Sequence, residues 1–135
     1  MKKYVIFSSD DNPNYYFFLP IASLAWKNIG YEPIISFVLD KQNLSSSHKL
    51  VLKTCESFGA TTFIIDANEI KSRIEFRGYN LSMLAQISRF CPSIFLPNDN
   101  VYCLTSDADM IPVDNKWFHQ QDSTKEIHLF QSFSC

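Results

Sequence analysis

The sequence predicts an α/β domain built on a mostly parallel sheet, and three observations carry that expectation. Short β-rich apolar runs alternate with stretches of helical periodicity, the pattern of right-handed βαβ units. The first of those runs does not alternate in polarity, as expected of a strand covered on both faces. Acidic residues gather just past the carboxyl ends of the expected strands, where open α/β sheets take their ligands. At 135 residues, 46% of them hydrophobic and 15% aromatic, the chain suits one domain with one core and is far from the composition of a disordered segment. No repeat, low-complexity tract or linker marks a second domain, so residues 1–135 are read as one unit.

Residues 4–7 form the first expected strand, which stops at Ser8-Ser9-Asp10-Asp11. After Pro13-Asn14, the apolar residues Phe18, Ile21, Ala22, Ala25, Trp26 and Ile29 recur at helical spacing, and Gly30 stands where a C-terminal cap belongs. Pro20 must then lie in the first turn of that helix or kink it. Residues 33–39 form a second strand. Ser45-Ser46-Ser47 offers an N-cap for a helix that turns Leu50 or Val51, Cys55 and Phe58 inward before Gly59. Residues 61–65 make a third strand ending at Asp66, followed by a polar stretch through Asn80 with no assignable periodicity. Met83, Leu84, Ile87 and Phe90 mark a further helix, closed by Cys91-Pro92. Residues 101–105 form a fourth strand running into Ser106-Asp107-Ala108-Asp109, and residues 127–133 read as a fifth.

Composition removes several function classes. Twelve basic against 14 acidic residues leave a formal charge of −2, too little positive charge for a phosphate-backbone binder, so nucleic acid is not an expected partner. The three glycines, Gly30, Gly59 and Gly78, stand too far apart for a G-x-G-x-x-G dinucleotide fingerprint or a P-loop. Cys55, Cys91, Cys103 and Cys135 form no C-x-x-C pair and no zinc-spaced cluster with histidine, which points to reduced, inert thiols and a cytoplasmic setting. Only a short apolar run follows Met1-Lys2-Lys3. It is too short for a signal-peptide core or a membrane span.

The sharpest chemical feature is Asp107-Ala108-Asp109. In an extended segment, residues i and i+2 project to one side roughly 6.5 to 7 Å apart, so two carboxylates can share a divalent cation. Oxygen ligands suit Mg²⁺ or Mn²⁺, which take one or two carboxylates and complete their shell with substrate phosphates and water. A solvated acidic turn after a strand is the other reading of the tripeptide.

The flanks of the motif read Val101-Tyr102-Cys103-Leu104-Thr105-Ser106-Asp107-Ala108-Asp109-Met110-Ile111-Pro112-Val113, an apolar strand delivering the acids with an apolar continuation behind them. This segment resembles the D-x-D strand of nucleotide-sugar glycosyltransferases of the GT-A fold, glycogenin-like enzymes in particular. Val5-Ile6-Phe7-Ser8-Ser9-Asp10-Asp11, followed by Tyr15-Tyr16, looks like that family's opening strand and nucleotide-gripping turn. Arg89 stands about where the family places a basic residue near the nucleotide or its phosphates. The resemblance spans residues 4–118 or so and is most specific over residues 107–113.

The resemblance implies a Rossmann-like GT-A sandwich with a mostly parallel central sheet, of which this chain would carry the nucleotide-binding, N-terminal part and be incomplete at its C-terminus. It implies a glycosyltransferase that moves a sugar from a nucleotide-diphosphate sugar, by expectation a UDP-sugar, to a glycan, protein or small-molecule acceptor. Phe7, Ser8 and Asp10 would contact base and ribose, Tyr15 or Tyr16 would supply an aromatic surface, and Arg89 and Ala108 would belong to the same nucleotide-sugar site. Asp109 would be the principal ligand of Mn²⁺ or Mg²⁺, and Asp107 would bind the ribose or reach the metal. His119 and His128 do not fall where the family places its further ligand, and no acceptor wall follows the motif. The expectation is therefore donor binding with poor transfer, and self-association over any uncovered apolar surface.

Two other readings account for some of these residues. A receiver-type phosphoacceptor module would use Asp10 and Asp11 for Mg²⁺, Asp66 as phosphoacceptor, Thr105 or Ser106, and Lys125, but leaves Asp107 and Asp109 without a role. A haloacid-dehalogenase-type phosphatase would use the D-x-D as nucleophile and acid, yet that motif normally opens the chain and carries Thr or Val where Ile111 stands.

Overall fold

The computed structural model describes residues 2–73, 80–96, 101–114 and 116. In chain order the elements are β1 (Lys2–Ser9), α1 (Pro13–Tyr16), α2 (Leu19–Asn28), β2 (Glu32–Leu39), α3 (Ser46–Ser57), β3 (Thr61–Asp66), α4 (Ala67–Arg73), α5 (Leu81–Ser88), a 3₁₀ turn over Pro92–Phe95, and β4 (Val101–Thr105). The four strands form one all-parallel sheet in the order β3-β2-β1-β4. This is an α/β architecture consistent with a Rossmann-like fold. Among the described residues no helix is long and apolar enough to cross a membrane.

Strand alternation sorts the core into two layers. Val5 and Phe7 of β1 and Ile35, Phe37 and Leu39 of β2 face α2 and α3, where they meet Leu19, Ala22, Trp26, Val51, Leu52 and Cys55. The opposite face is thinner: Val38 packs against Ala67 and Ala85, with Ile65, Leu81 and Leu84 partly buried around them. Ser36 of β2 lies on this second face and donates to Ser88 of α5 across 2.9 Å, both side chains being buried. Small residues on both partners let the helix approach the sheet closely.

Local chemistry sets the boundaries. Gly30 and Gly59 adopt φ of 91° and 83° after α2 and α3, the left-handed conformation that glycine takes without strain. Pro20 lies in the first turn of α2, where its missing N–H costs no helical hydrogen bond. Ser45 caps α3 by accepting from the His48 N–H, and the His48 side chain accepts from the Ser45 N–H in return. The His48 ring also lies edge-on to Tyr16 and Phe37, which ties the start of α3 to the core.

Four features differ from the sequence expectations. β1 extends to Lys2 and Ser9, because both neighbours, β2 and β4, supply ladder partners along its length. The polar stretch after Asp66 begins with α4, a short helix whose Asn68 N–H, in the first turn, donates to Asp66 Oδ1. On α3 the inward residues are Val51, Leu52 and Cys55, whereas Leu50 is exposed and Phe58 half-buried. On α5, Met83 and Ile87 are exposed, as is Phe90 just past it, while Ala85 and Ser88 are buried and Leu84 is half-buried. The fifth strand expected at 127–133, Lys125, His119, His128 and Cys135 lie outside the described residues.

Candidate active site

β1 and β4 are parallel neighbours, so both deliver their carboxyl ends to one edge of the sheet. The last ladder contact there is the Ser106 N–H donating to the Ile6 carbonyl at 2.9 Å. There the chain leaves the ladder, although β1 runs on to Ser9, and turns: the Met110 N–H donates to the Asp107 carbonyl at 3.2 Å. Asp107 and Asp109 therefore sit in a β-turn, which corrects the extended geometry expected from their spacing. Ala108 between them is buried in the main core, which anchors the turn and leaves both acids exposed. The indole N–H of Trp26 donates to the Met110 carbonyl at 3.4 Å and ties the far side of the turn to α2.

An open cleft of about 280 Å³ lies at this edge, near the lower end of ligand-sized pockets, ~300 to 1,000 Å³. One wall comes from the end of β1 and the turn after it, with Ser8, Ser9, Asp10 and Tyr15. A second comes from Asp107, Ala108 and Asp109. The third is one face of α5, where Ser82, Ala85 and Gln86, with Arg89 at the C-cap, follow i, i+3, i+4, i+7 spacing. The sequence expectations did not include Ser9, Ser82, Ala85 and Gln86. The signal for the three helical residues was that spacing, read from Arg89 backwards along α5.

Among the described residues, two polar atoms on these walls are buried without a hydrogen-bond partner: Ser8 Oγ and Arg89 Nε. Ser8 is only 5% exposed. Arg89 donates from Nη1 to Asp107 Oδ1 at 2.7 Å, with the arginine side chain 17% and the aspartate 60% exposed. Asp10 accepts from the Asn12 N–H at 3.1 Å and so shapes the turn, while Asn12 in turn caps α1. Buried polar groups are normally paired, so orphaned ones lining a cleft suit an incoming ligand.

The structure separates residues that the sequence grouped. Tyr15 is exposed on the cleft, whereas Tyr16 is buried against Phe37 and His48. Phe7 does not line the cleft; it is fully buried, with its ring 6.4 Å from that of Trp26. Asp11 is exposed outside the lining, and Asp66 caps α4 at the end of β3. A receiver-type arrangement belongs to the sheet order 2-1-3-4-5, with strand three beside strand one. Here β2 stands between them, so Asp66 is not brought to Asp10. Asp40, at the end of β2, is likewise used locally. Its carboxyl is held below the usual range first by the Asn43 side chain, against a smaller opposing effect of desolvation.

The donor set at the cleft is all oxygen on the carboxylate side. Among the described residues no group of three or more His, Cys, Asp or Glu side chains could hold a metal ion by itself. Two carboxylates on one turn, beside a cleft with unpaired donors for phosphate, fit a hard cation that completes its shell with substrate oxygens and water. No protein-family model matches this chain, and no curated protein matches it significantly.

Proposed function

We propose that the cleft binds the diphosphate part of a nucleotide-sugar, with UDP-sugar as the leading donor, and that it is the donor site of a GT-A-type glycosyltransferase. The observation that carries this reading is the convergence of Ser8, Asp10, Tyr15, Arg89, Asp107 and Asp109 on one cleft at the carboxyl edge of neighbouring parallel strands.

Tyr15 offers a half-exposed ring on which a base can stack. Ser8 and Asp10 offer a hydroxyl and a carboxylate to ribose or base. Arg89 presents a planar guanidinium suited to phosphate oxygens, and it is held in place by its burial. Asp109 and Asp107 would hold Mn²⁺ or Mg²⁺, which when bound supplies positive charge to a departing diphosphate.

Calorimetric titration with UDP tests the reading. Affinity should be at least ~10-fold higher with Mn²⁺ than with EDTA, a coupling of ordinary size. Asp109→Asn should remove most of that gain. Equal affinity in Mn²⁺ and EDTA would sink the proposal.

A further inference from the structure

We propose that Arg89 and Asp107 form an exchangeable latch that couples anion and cation binding: Arg89 holds Asp107 until a phosphate takes the guanidinium, and Asp107 is then released to the cation. The proposal rests on reading the cleft as a diphosphate and cation site.

The ion pair is asymmetric. The Arg89 side chain, from the C-cap residue of α5, is 17% exposed, whereas the Asp107 side chain is 60% exposed on a turn. Of the five N–H donors of the guanidinium, Nη1 is committed to Asp107 Oδ1 and Nε is buried without an acceptor. The arginine is thus under-satisfied where it stands, and a phosphate entering beside it would offer the fork of acceptors that one carboxylate oxygen does not. Ser8 Oγ, on the wall contributed by β1, is a second orphaned polar group in the same cleft.

A cation bound to Asp107 would lie close to the guanidinium on the same carboxylate. Two positive charges would then compete for one negative group. A cation arriving alone therefore meets a carboxylate already neutralised, and an anion arriving alone meets an arginine already paired. Together they exchange partners, and linkage makes the gain reciprocal. The latch gives Arg89 opposite effects on the two ligands taken separately, which a merely structural arginine would not have.

The test uses the full chain, with Mn²⁺ alone followed by the loss of its free electron-paramagnetic-resonance signal, and UDP in EDTA followed by calorimetry. Arg89→Gln should tighten Mn²⁺ alone by about 5- to 10-fold and weaken UDP in EDTA by about 10-fold. In an Asp107→Asn background the effect of Arg89→Gln on Mn²⁺ should shrink to about twofold, because distant independent sites would add and these do not. Asp107→Asn alone should tighten UDP in EDTA by more than Asp109→Asn, which makes the same charge change without touching the ion pair. This comparison carries the test where Arg89→Gln fails to fold. Unchanged or weaker Mn²⁺ binding by folded Arg89→Gln, or equal effects of the two asparagine variants on UDP, overturns the latch. A wild-type chain that binds UDP no better with Mn²⁺ than without overturns the reading of the site, and the latch with it.

Discussion

Ser36 and Ser88 meet where α5 crosses the sheet, and Ser88 Oγ also donates to the Ala85 carbonyl at 2.8 Å. Ser36→Ala should cost about 1 kcal/mol, the net value of one buried hydrogen bond, because Ser88 keeps its second partner. Ser36→Leu should cost about 1 to 3 kcal/mol by forcing helix and sheet apart. Urea unfolding of the three proteins measures both. Burial pushes the Cys55 thiol from 9.0 up to about 11. The Tyr31 hydroxyl rises from 10.0 to about 12, mainly by burial and then by the nearby Tyr102. In both cases the unfolded chain loses its proton first. The stabilisation is therefore complete below pH 9 and is lost as pH rises through about 9 to 12. Urea midpoints should fall across that window, and Cys55→Ala should flatten the part between pH 9 and 11. Individual residue roles were only partly legible in the sequence. Asp107-Ala108-Asp109 and Ser8-Ser9-Asp10 were visible as polar breaks after apolar runs. The choice of Tyr15 over Tyr16, and the burial of Phe7, depend on which way a turn rotates, and adjacent residues carry no periodicity to reveal it.

The elements were legible where punctuation and periodicity agreed. Gly30, Gly59, Pro20 and Ser45 marked α2 and α3 because each has a backbone preference that acts locally. α4 was not assignable, since seven residues give too little periodicity. Of the apolar residues that revealed α5, Leu84 is half-buried against the sheet, whereas Met83, Ile87 and, just past the helix, Phe90 are 42%, 52% and 62% exposed. The fully buried residues are Ala85 and Ser88, chosen by close approach, with Leu81 and Leu84 partly buried beside them. Ile87→Lys should therefore change stability by less than about 0.5 kcal/mol, as at an ordinary surface position, whereas Ala85→Leu should cost about 1 to 3 kcal/mol or more. Thermal unfolding of the two variants distinguishes this orientation from one with Ile87 inward, which would make the lysine the more damaging change. Ser45→Ala should cost about 1 kcal/mol through loss of the α3 cap.

At the scale of the molecule, the alternation of strand and helix patterns was enough to indicate a parallel sheet. The order β3-β2-β1-β4 was not in the sequence pattern, because pairing between β1 and β4 joins segments nearly a hundred residues apart in the numbering. That pairing brings Asp10 and Asp109 to one cleft and leaves Asp66 at the far edge strand. The cleft's three walls come from separate parts of the chain, so a ligand bound there must register on all of them at once. The most direct measurement is an amide ¹H–¹⁵N NMR titration with UDP in the presence of diamagnetic Mg²⁺. Shifts concentrated at residues 8–15, 82–89 and 106–110, appearing together and saturating with one affinity, are the predicted result. Shifts centred on Asp66 and β3, or none at the three walls at millimolar UDP, would contradict it.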